Sequence, residues 1–146
     1  MSAADAPVTV LSEDECWSLL SSMSLGRLVT ILGGKPEIFP VNFATQHRTV
    51  LFRTAQGTKL YSAVMGDWVT FEVDYHDPAL TYGWSVIIKG RAHVLSAHAD
   101  ILNAQEAPLR SWIATLKPVF VRVIASEITG RRFKFGPEPD HETIIS

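Results

Sequence analysis

Two periods alternate along the chain. Between residues 12 and 26 the apolar positions Cys16, Leu19, Leu20 and Met23 recur at i, i+3, i+4 and i+7, which places them on one face of a helix. Ser12 followed by Glu15 has the pattern of a capping box, and Glu13, Asp14 and Glu15 suit the positive end of the helix dipole. Gly26 is the expected stop.

Beyond it the period shortens to that of a strand. Arg27–Leu32 and about Glu37–Thr45 flank Gly33-Gly34, the punctuation of a hairpin. Pro40 cannot donate to a ladder, so a bulge or a sheet edge is expected there. Arg48–Thr54 reads as a third strand, and Thr58–Met65 as a short helix closed by Gly66. Trp68–Tyr75 sets Val69, Phe71, Val73 and Tyr75 against Thr70, Glu72 and Asp74. Trp84–Leu95 carries Trp84, Val86, Ile88, Ala92 and Val94 on one side, and Gly90 marks a bulge or a close backbone approach. Ala97–Trp112 is expected to be helical, with Pro108 limiting its regular part, and Pro118–Ile128 is the last strong strand. Arg131–Phe135 alternates basic and aromatic residues.

Six strands and three helices result. The early connections are too short for parallel crossovers, so the sheet is antiparallel, and closing it removes its edges. The expected class is mainly β with flanking helices, in a single domain spanning residues 1–146 with loose tails at 1–8 and 137–146.

Composition narrows the function classes. Charged residues make up 19% of the chain, below the roughly 25% of an average domain, which favours apolar surface covered by a second copy. The net charge of −2 gives no general attraction to nucleic acid or to an anionic membrane. The short basic–aromatic run at 131–135 reads as a solvated strand face. Cys16 has no partner for an intrachain disulfide, no apolar run approaches a membrane span, and the first seven residues lack the features of a signal peptide. A cytoplasmic protein is expected. His47, His76, His93, His98 and His141 have no metal-ligand spacing, so no metal site is expected.

No nucleophile elbow, Walker lysine or dinucleotide-binding glycine motif is present. Candidate chemistry lies instead in Arg53-Thr54-Ala55-Gln56-Gly57-Thr58-Lys59-Leu60. A strand ends, a glycine turn follows and a helix begins, so backbone amides, the hydroxyls of Thr54 and Thr58, and the charges of Arg53 and Lys59 can meet a phosphate. The same residues also describe an ordinary strand–turn–helix with capping threonines. Pro40-Val41-Asn42-Phe43 can leave backbone groups free for a ligand edge, or mark only an edge strand. Trp84 can cover a planar ring, and Lys89 or Arg91 can meet negative charge. Equally, Ser85, Lys89, Arg91 and His93 describe a solvated strand face. No catalytic acid or base is evident.

Taken in order, these pieces carry a resemblance. The capped helix leads into Gly26-Arg27-Leu28-Val29-Thr30, then Pro40-Val41-Asn42-Phe43, Phe52-Arg53-Thr54 and Gly57-Thr58-Lys59-Leu60. Val69-Thr70-Phe71-Glu72-Val73-Asp74, Gly83-Trp84-Ser85-Val86 and Gly90-Arg91-Ala92 follow. Over about residues 11–135 the series resembles the pyridoxamine 5′-phosphate oxidase-like, FMN-binding split barrels, including their flavin- and deazaflavin-dependent oxidoreductase branch. The resemblance implies a six-stranded antiparallel split β-barrel and a homodimer with two cofactors in grooves between the subunits. It implies that the cofactor phosphate meets Thr54, Thr58 and Lys59 with Arg53 nearby. The ring would lie along Val41 and Asn42, with Trp84 and Ser85 approaching from the other subunit.

FMN is the implied cofactor, with coenzyme F420 as the alternative. Some relatives carry a histidine where this chain has Arg53, and the extra cation suits a longer anionic tail. Gly136–Ser146 does not match the C-terminal substrate-binding segment of true pyridoxamine-phosphate oxidases, which argues against vitamin B6 oxidation. The expected function is hydride transfer between a flavin or deazaflavin and a small organic acceptor. The alternative is a non-enzymatic protein that binds and sequesters the flavin. Haem binding on the same barrel would need an axial ligand, with His93 and His98 as candidates.

Overall fold

The computed structural model describes residues 6–65 and 68–140. Its elements in chain order are β1 (Val8–Val10), α1 (Glu13–Ser21), β2 (Leu25–Leu32), β3 (Lys35–Gln46), β4 (Thr49–Thr54), α2 (Lys59–Ala63), β5 (Trp68–His76), β6 (Tyr82–Val94), α3 (His98–Gln105) and β7 (Val119–Lys134). The strand order is β1-β7-β4-β3-β2-β5-β6, and β6 pairs again with β7. Six antiparallel strands therefore close into a ring, as the pattern predicts.

The seventh strand is a correction. Residues up to 8 were expected to be a loose tail, yet Val8, Thr9 and Val10 pair with Phe133, Arg132 and Arg131. The reason is an unused edge. On one side β7 is covered by β4 only over Val119–Ile124, and β1 takes ladder positions further along. At the other end, residues 137–140 carry no regular structure. Residues 1–5 and 141–146, with His141, lie outside the described residues, as does Gly66, the expected stop of the second helix.

Helix α1 has its capping box: the Glu15 amide donates to Ser12 Oγ at 3.2 Å, and the Ser12 amide donates to Glu15 Oε1 at 3.1 Å. It stops at Ser21, before Gly26. Ser21 Oγ donates to the Trp17 carbonyl and Ser22 Oγ to the Leu19 carbonyl, a side-chain alternative to continuing the helix. Gly26 sits within β2, where a Cβ would lie 2.3 Å from Phe71 Cζ, so its smallness serves packing inside the barrel.

The β2–β3 hairpin turns through Gly33 and Gly34 at φ of 59° and 77°, the conformation a two-residue turn requires. Gly90 combines both of its expected readings. The β6–β7 register shifts there, leaving Ser126 without an opposite residue, and a Cβ on Gly90 would meet the Ile124 carbonyl oxygen at 2.0 Å.

The barrel interior is filled by Leu28, Val50, Phe52, Phe71, Val86 and Val121, and α1 seals it with Cys16, Trp17 and Leu20. Burial pushes the Cys16 thiol above its ordinary range. A smaller cluster lies outside, where Ala104 of α3 packs with Leu51 and Phe120. Helix α3 ends at Gln105, short of the expected Trp112. Pro108 lacks an amide proton and disfavours helical backbone at Ala107. Residues 106–118 then run irregularly beside β3 and β4, and this segment shapes the candidate site.

Candidate functional site

Pro40 sets the starting geometry. No bulge forms, and the β2–β3 register is continuous from Leu25↔Asn42 to Leu32↔Lys35. The edge expectation holds in a local sense. Strand β3 meets β4 only over Phe43–Gln46, so residues 35–42 are paired with β2 alone. The stretch carrying Pro40, Val41 and Asn42 therefore presents one backbone edge that no described strand covers.

A pocket of about 100 Å³ opens on that edge, lined by Pro40, Val41, Asn42, Arg53, Leu60 and residues from the 106–118 segment. Three expected site residues, Val41, Asn42 and Arg53, are brought together here. The segment adds Leu109, Arg110, Ser111, Ile113 and Lys117, none of which the sequence pattern singles out. Asn42 fastens it: its Oδ1 accepts the Trp112 amide at 2.9 Å, and its Nδ2 donates to the Ser24 carbonyl at 3.3 Å.

The charge in this pocket is of one sign. Arg53, Arg110 and Lys117 line it, no carboxylate does, and no described carboxylate ion-pairs with any of the three. Lys117 Nζ donates only to neutral hydroxyls, Ser111 Oγ at 3.0 Å and Thr115 Oγ1 at 2.7 Å. Arg53 lies 6.0 Å from the Phe120 ring centroid. Arg53 and Lys117 are half-buried and Arg110 is exposed, and cations lining a cavity without a counter-ion favour an anionic ligand.

The turn from Thr54 to Lys59 is formed as a strand–turn–helix, with its polar groups already engaged. Thr58 Oγ1 donates to the Ala55 carbonyl at 2.7 Å, accepts the Tyr61 amide at 3.1 Å and lies 3.0 Å from the buried Thr54 Oγ1. Lys59 Nζ is 2.7 Å from Glu37 Oε1, a pair of an exposed lysine with a half-buried carboxylate.

Trp84 and Ser85, expected to approach from a second subunit, lie away from this pocket within the chain. Trp84 is 4% exposed and stacks on Tyr75 at 6.3 Å between centroids. It points inward with Val86 and Ile88, so its bulk serves the core of this chain. Ser85, of opposite parity, is half-buried on the outer face opposite Arg131 and Asp74. Arg91 lies over the Trp68 ring at 4.7 Å, and Lys89 and His93 are exposed on the same strand. Among the described residues no three His, Cys, Asp or Glu side chains are placed to hold a metal.

A second cleft of about 520 Å³ adjoins the first across Pro40 and the Trp112 region, with Met23, Leu25, Arg27 and Asp74 in its wall. Arg27 Nη1 donates to Glu72 Oε1 and Asp74 Oδ2, both at 2.8 Å. Burial and the neighbouring Asp74 push Glu72 up to about 7, while Asp74 is held below its usual range by the Glu72 hydrogen bond and Arg27. This acid pair escaped the sequence reading. The available signal was two carboxylates at i and i+2 of one strand face, opposite an arginine.

Comparison with known proteins agrees with this architecture. The family model described as pyridoxamine 5′-phosphate oxidase matches residues 12–132, and the chain belongs to that family. The FAD binding protein from Mycobacterium smegmatis is 50% identical, superposes with a TM-score of 0.77, and covers 87% of this chain and 99% of its own. A conserved protein of unknown function from Corynebacterium diphtheriae, DIP1874, is 41% identical with a TM-score of 0.74, covering 88% of this chain and 99% of its own. The uncharacterized protein Rv3129 of Mycobacterium tuberculosis is 59% identical over 95 residues, which are 65% of this chain and 84% of that protein.

Proposed function

We propose that the chain binds a flavin or deazaflavin and passes hydride between it and a small organic acceptor. The ring would lie along the open β3 edge at Val41 and Asn42, with the phosphate-bearing side chain running toward Arg53 and the Thr54–Lys59 turn. One observation carries this reading: an uncovered strand edge and a carboxylate-free cluster of cations line the same pocket. A planar heterocycle can bond to the first and its anionic tail to the second. The ligand named for the M. smegmatis relative, FAD, supports the flavin class. FMN and coenzyme F420 are the other members that the pocket chemistry admits. When bound, the cofactor supplies the redox chemistry, and this chain's residues bind and orient it.

The assembly proposed with this reading is a homodimer. Trp112, Ile113 and Leu116 are 66%, 67% and 85% exposed beside the pocket, an apolar patch suited to a second copy. The test is to purify the protein, release any bound small molecule, and identify it by absorbance and mass. An isoalloxazine or deazaflavin chromophore is expected. Failure to retain one, together with no binding on titration of FMN, FAD and F420, would overturn the reading.

A second reading, storage without catalysis, draws on a different feature. No carboxylate, histidine or cysteine lines the 100 Å³ pocket, so that wall offers no side-chain base, and Lys117 is the one proton donor of the ordinary acid–base set in it. Stopped-flow reoxidation of bound and free reduced cofactor with the same quinone separates the two. Slower reoxidation on binding, for every acceptor tried, would favour storage.

A further inference from the structure

We propose that the 520 Å³ cleft beside the cationic pocket is a binding site for an apolar organic cation, with Trp112 as its aromatic wall and the Asp74–Glu72 pair as its counter-charge. The proposal goes beyond the flavin reading and stands without it.

The walls of the cleft are of two kinds. Met23, Leu25, Pro40 and Trp112 supply apolar surface, and among the described residues Arg27 and Asp74 are the charged side chains of the lining. A cleft of this size admits a ligand of about two fused rings.

Arg27 is already engaged. Its Nη1 donates to Glu72 Oε1 and to Asp74 Oδ2, each at 2.8 Å, so two carboxyl groups converge on one guanidinium nitrogen. The register explains the meeting: Arg27 of β2 lies opposite Glu72 of β5, and Asp74 follows on the same face. One positive charge thus faces two negative ones, and among the described residues neither carboxylate has a second ion-pair partner. The other charged or titratable groups of this face stand further along the ladder. Asp74 is opposite Ser85 and, beyond it, Arg131. Thr70 is opposite Lys89 and, beyond it, Glu127, while His76 follows Asp74 on β5.

The excess of negative charge shows in the proton that the pair retains. Burial and the neighbouring Asp74 push Glu72 up to about 7, where taking up a positive charge relieves the site. A permanent cation in the cleft supplies the same charge beside Asp74, which lines the wall and is exposed. Its flat face can lie on the Trp112 indole, the side chain best suited to hold a cation over a ring. The adjoining pocket acts in the opposite sense, because Arg53, Arg110 and Lys117 repel a cation. The two halves of the groove therefore sort ligands by charge.

The test is calorimetry on the full chain in its native assembly, with two soluble probes of nearly equal shape. N-methylquinolinium is a permanent cation, and quinoline is neutral at pH 8. The cation should bind about five- to tenfold more tightly at pH 8, the range of an exposed ion pair combined with a cation–π contact. Asp74→Asn should reduce that preference to less than about twofold, and Trp112→Leu should reduce it by about threefold. Arg27→Gln should act the other way and strengthen the cation by about threefold, because it removes the competing charge. Disruption of the cleft would weaken binding in all three variants, so the opposite signs separate charge from damage, and melting temperatures confirm that each variant is folded. Between pH 6 and pH 8 the wild-type affinity for N-methylquinolinium should rise about threefold as Glu72 loses its proton, and Glu72→Gln should abolish the rise.

Equal binding of the two probes would overturn the proposal, as would a preference for the cation that survives Asp74→Asn. Weaker binding of the cation by a folded Arg27→Gln variant would also overturn it. A rise with pH that persists in Glu72→Gln would belong to His76 and remove the carboxyl pair as the counter-charge.

Discussion

Asn42 is the residue through which the barrel holds the 109–117 segment, and replacing it isolates that role. In Asn42→Ala the Trp112 amide loses its acceptor at 2.9 Å and the Ser24 carbonyl loses a longer donor at 3.3 Å. The first bond is short and bridges two elements, so it contributes about 1 kcal/mol net, and the longer one about 0.5 kcal/mol. Both lie near solvent, so water replaces them and global stability should fall by no more than about 1.5 kcal/mol. Locally the effect is larger relative to the baseline: about 1 kcal/mol less protection means about a fivefold increase in the open population of the segment. Amide exchange followed by mass spectrometry should therefore show residues 109–117 exchanging about five times faster, with β4 and β7 unchanged. Flavin affinity should fall far less than that through segment opening alone, since it drops only by the fraction of molecules whose segment is open. Asn42→Asp is the control. Its carboxylate can still accept the Trp112 amide, so protection should persist, while the added negative charge in a cationic pocket should weaken any anionic ligand. Unchanged exchange at Trp112 in Asn42→Ala would refute the clamp. Lost protection in Asn42→Asp would show that the amide needs something other than an acceptor at that position.

The remaining predictions concern the barrel and its charges. Gly90→Ala forces a Cβ toward the Ile124 carbonyl oxygen at 2.0 Å, with backbone on every near side, so it should destabilise by about 3 kcal/mol and lower the melting temperature by about 6–12 °C. A shift under about 2 °C would contradict the tight β6–β7 crossing. Glu72, pushed up to about 7, binds a proton in the folded state that it loses near pH 4.5 when unfolded. The stability this contributes is therefore present at low pH and lost as pH rises through 7, and Glu72→Gln should gain on the wild type between pH 5 and pH 8. Denaturant melts of both proteins at the two pH values check this, and a constant difference would refute it. Trp84→Ala should unfold the protein more readily, by about 3–5 kcal/mol, because the side chain fills the core. Normal stability with selective loss of flavin would place Trp84 at the ligand. Light scattering at micromolar concentration should give twice the monomer mass, and a monomer would remove the proposed subunit groove.

The ring of six strands was legible because its signal is local. Parity along Trp68–Tyr75 and Trp84–Leu95 predicts inward residues that are buried, with Tyr75 and Val94 half-buried at the ends, and Gly33-Gly34 marks its turn without help from distant residues. The β1 strand was missed because three residues carry too little pattern; it exists through an edge of β7 more than 120 residues away. The 106–118 segment escaped for the opposite reason. Its first half reads as more helix, up to Trp112, whereas its position comes from Pro108 ending the helix, Ala104 packing on Leu51 and Phe120, and Asn42 reaching across from β3. Arg110 and Lys117 become a cluster only after those contacts form. Trp84 illustrates a further limit: an aromatic residue suited to cover a ring is equally suited to fill a barrel, and in this chain it packs in the core.

Strand β7 closes the ring from both sides, pairing with β6 through Val121–Lys134 and with β4 through Val119–Ile124. Before it emerges from the ribosome, β2 to β6 can form only a five-stranded meander, β4-β3-β2-β5-β6, open at both outer strands. The nascent chain thus carries two sticky margins until its final strand is made, and one segment silences both together. Chains interrupted in the 106–118 region would keep those margins exposed and should associate through them. Synthesis of this barrel is in that sense an all-or-nothing act, decided in its last sixteen-residue strand.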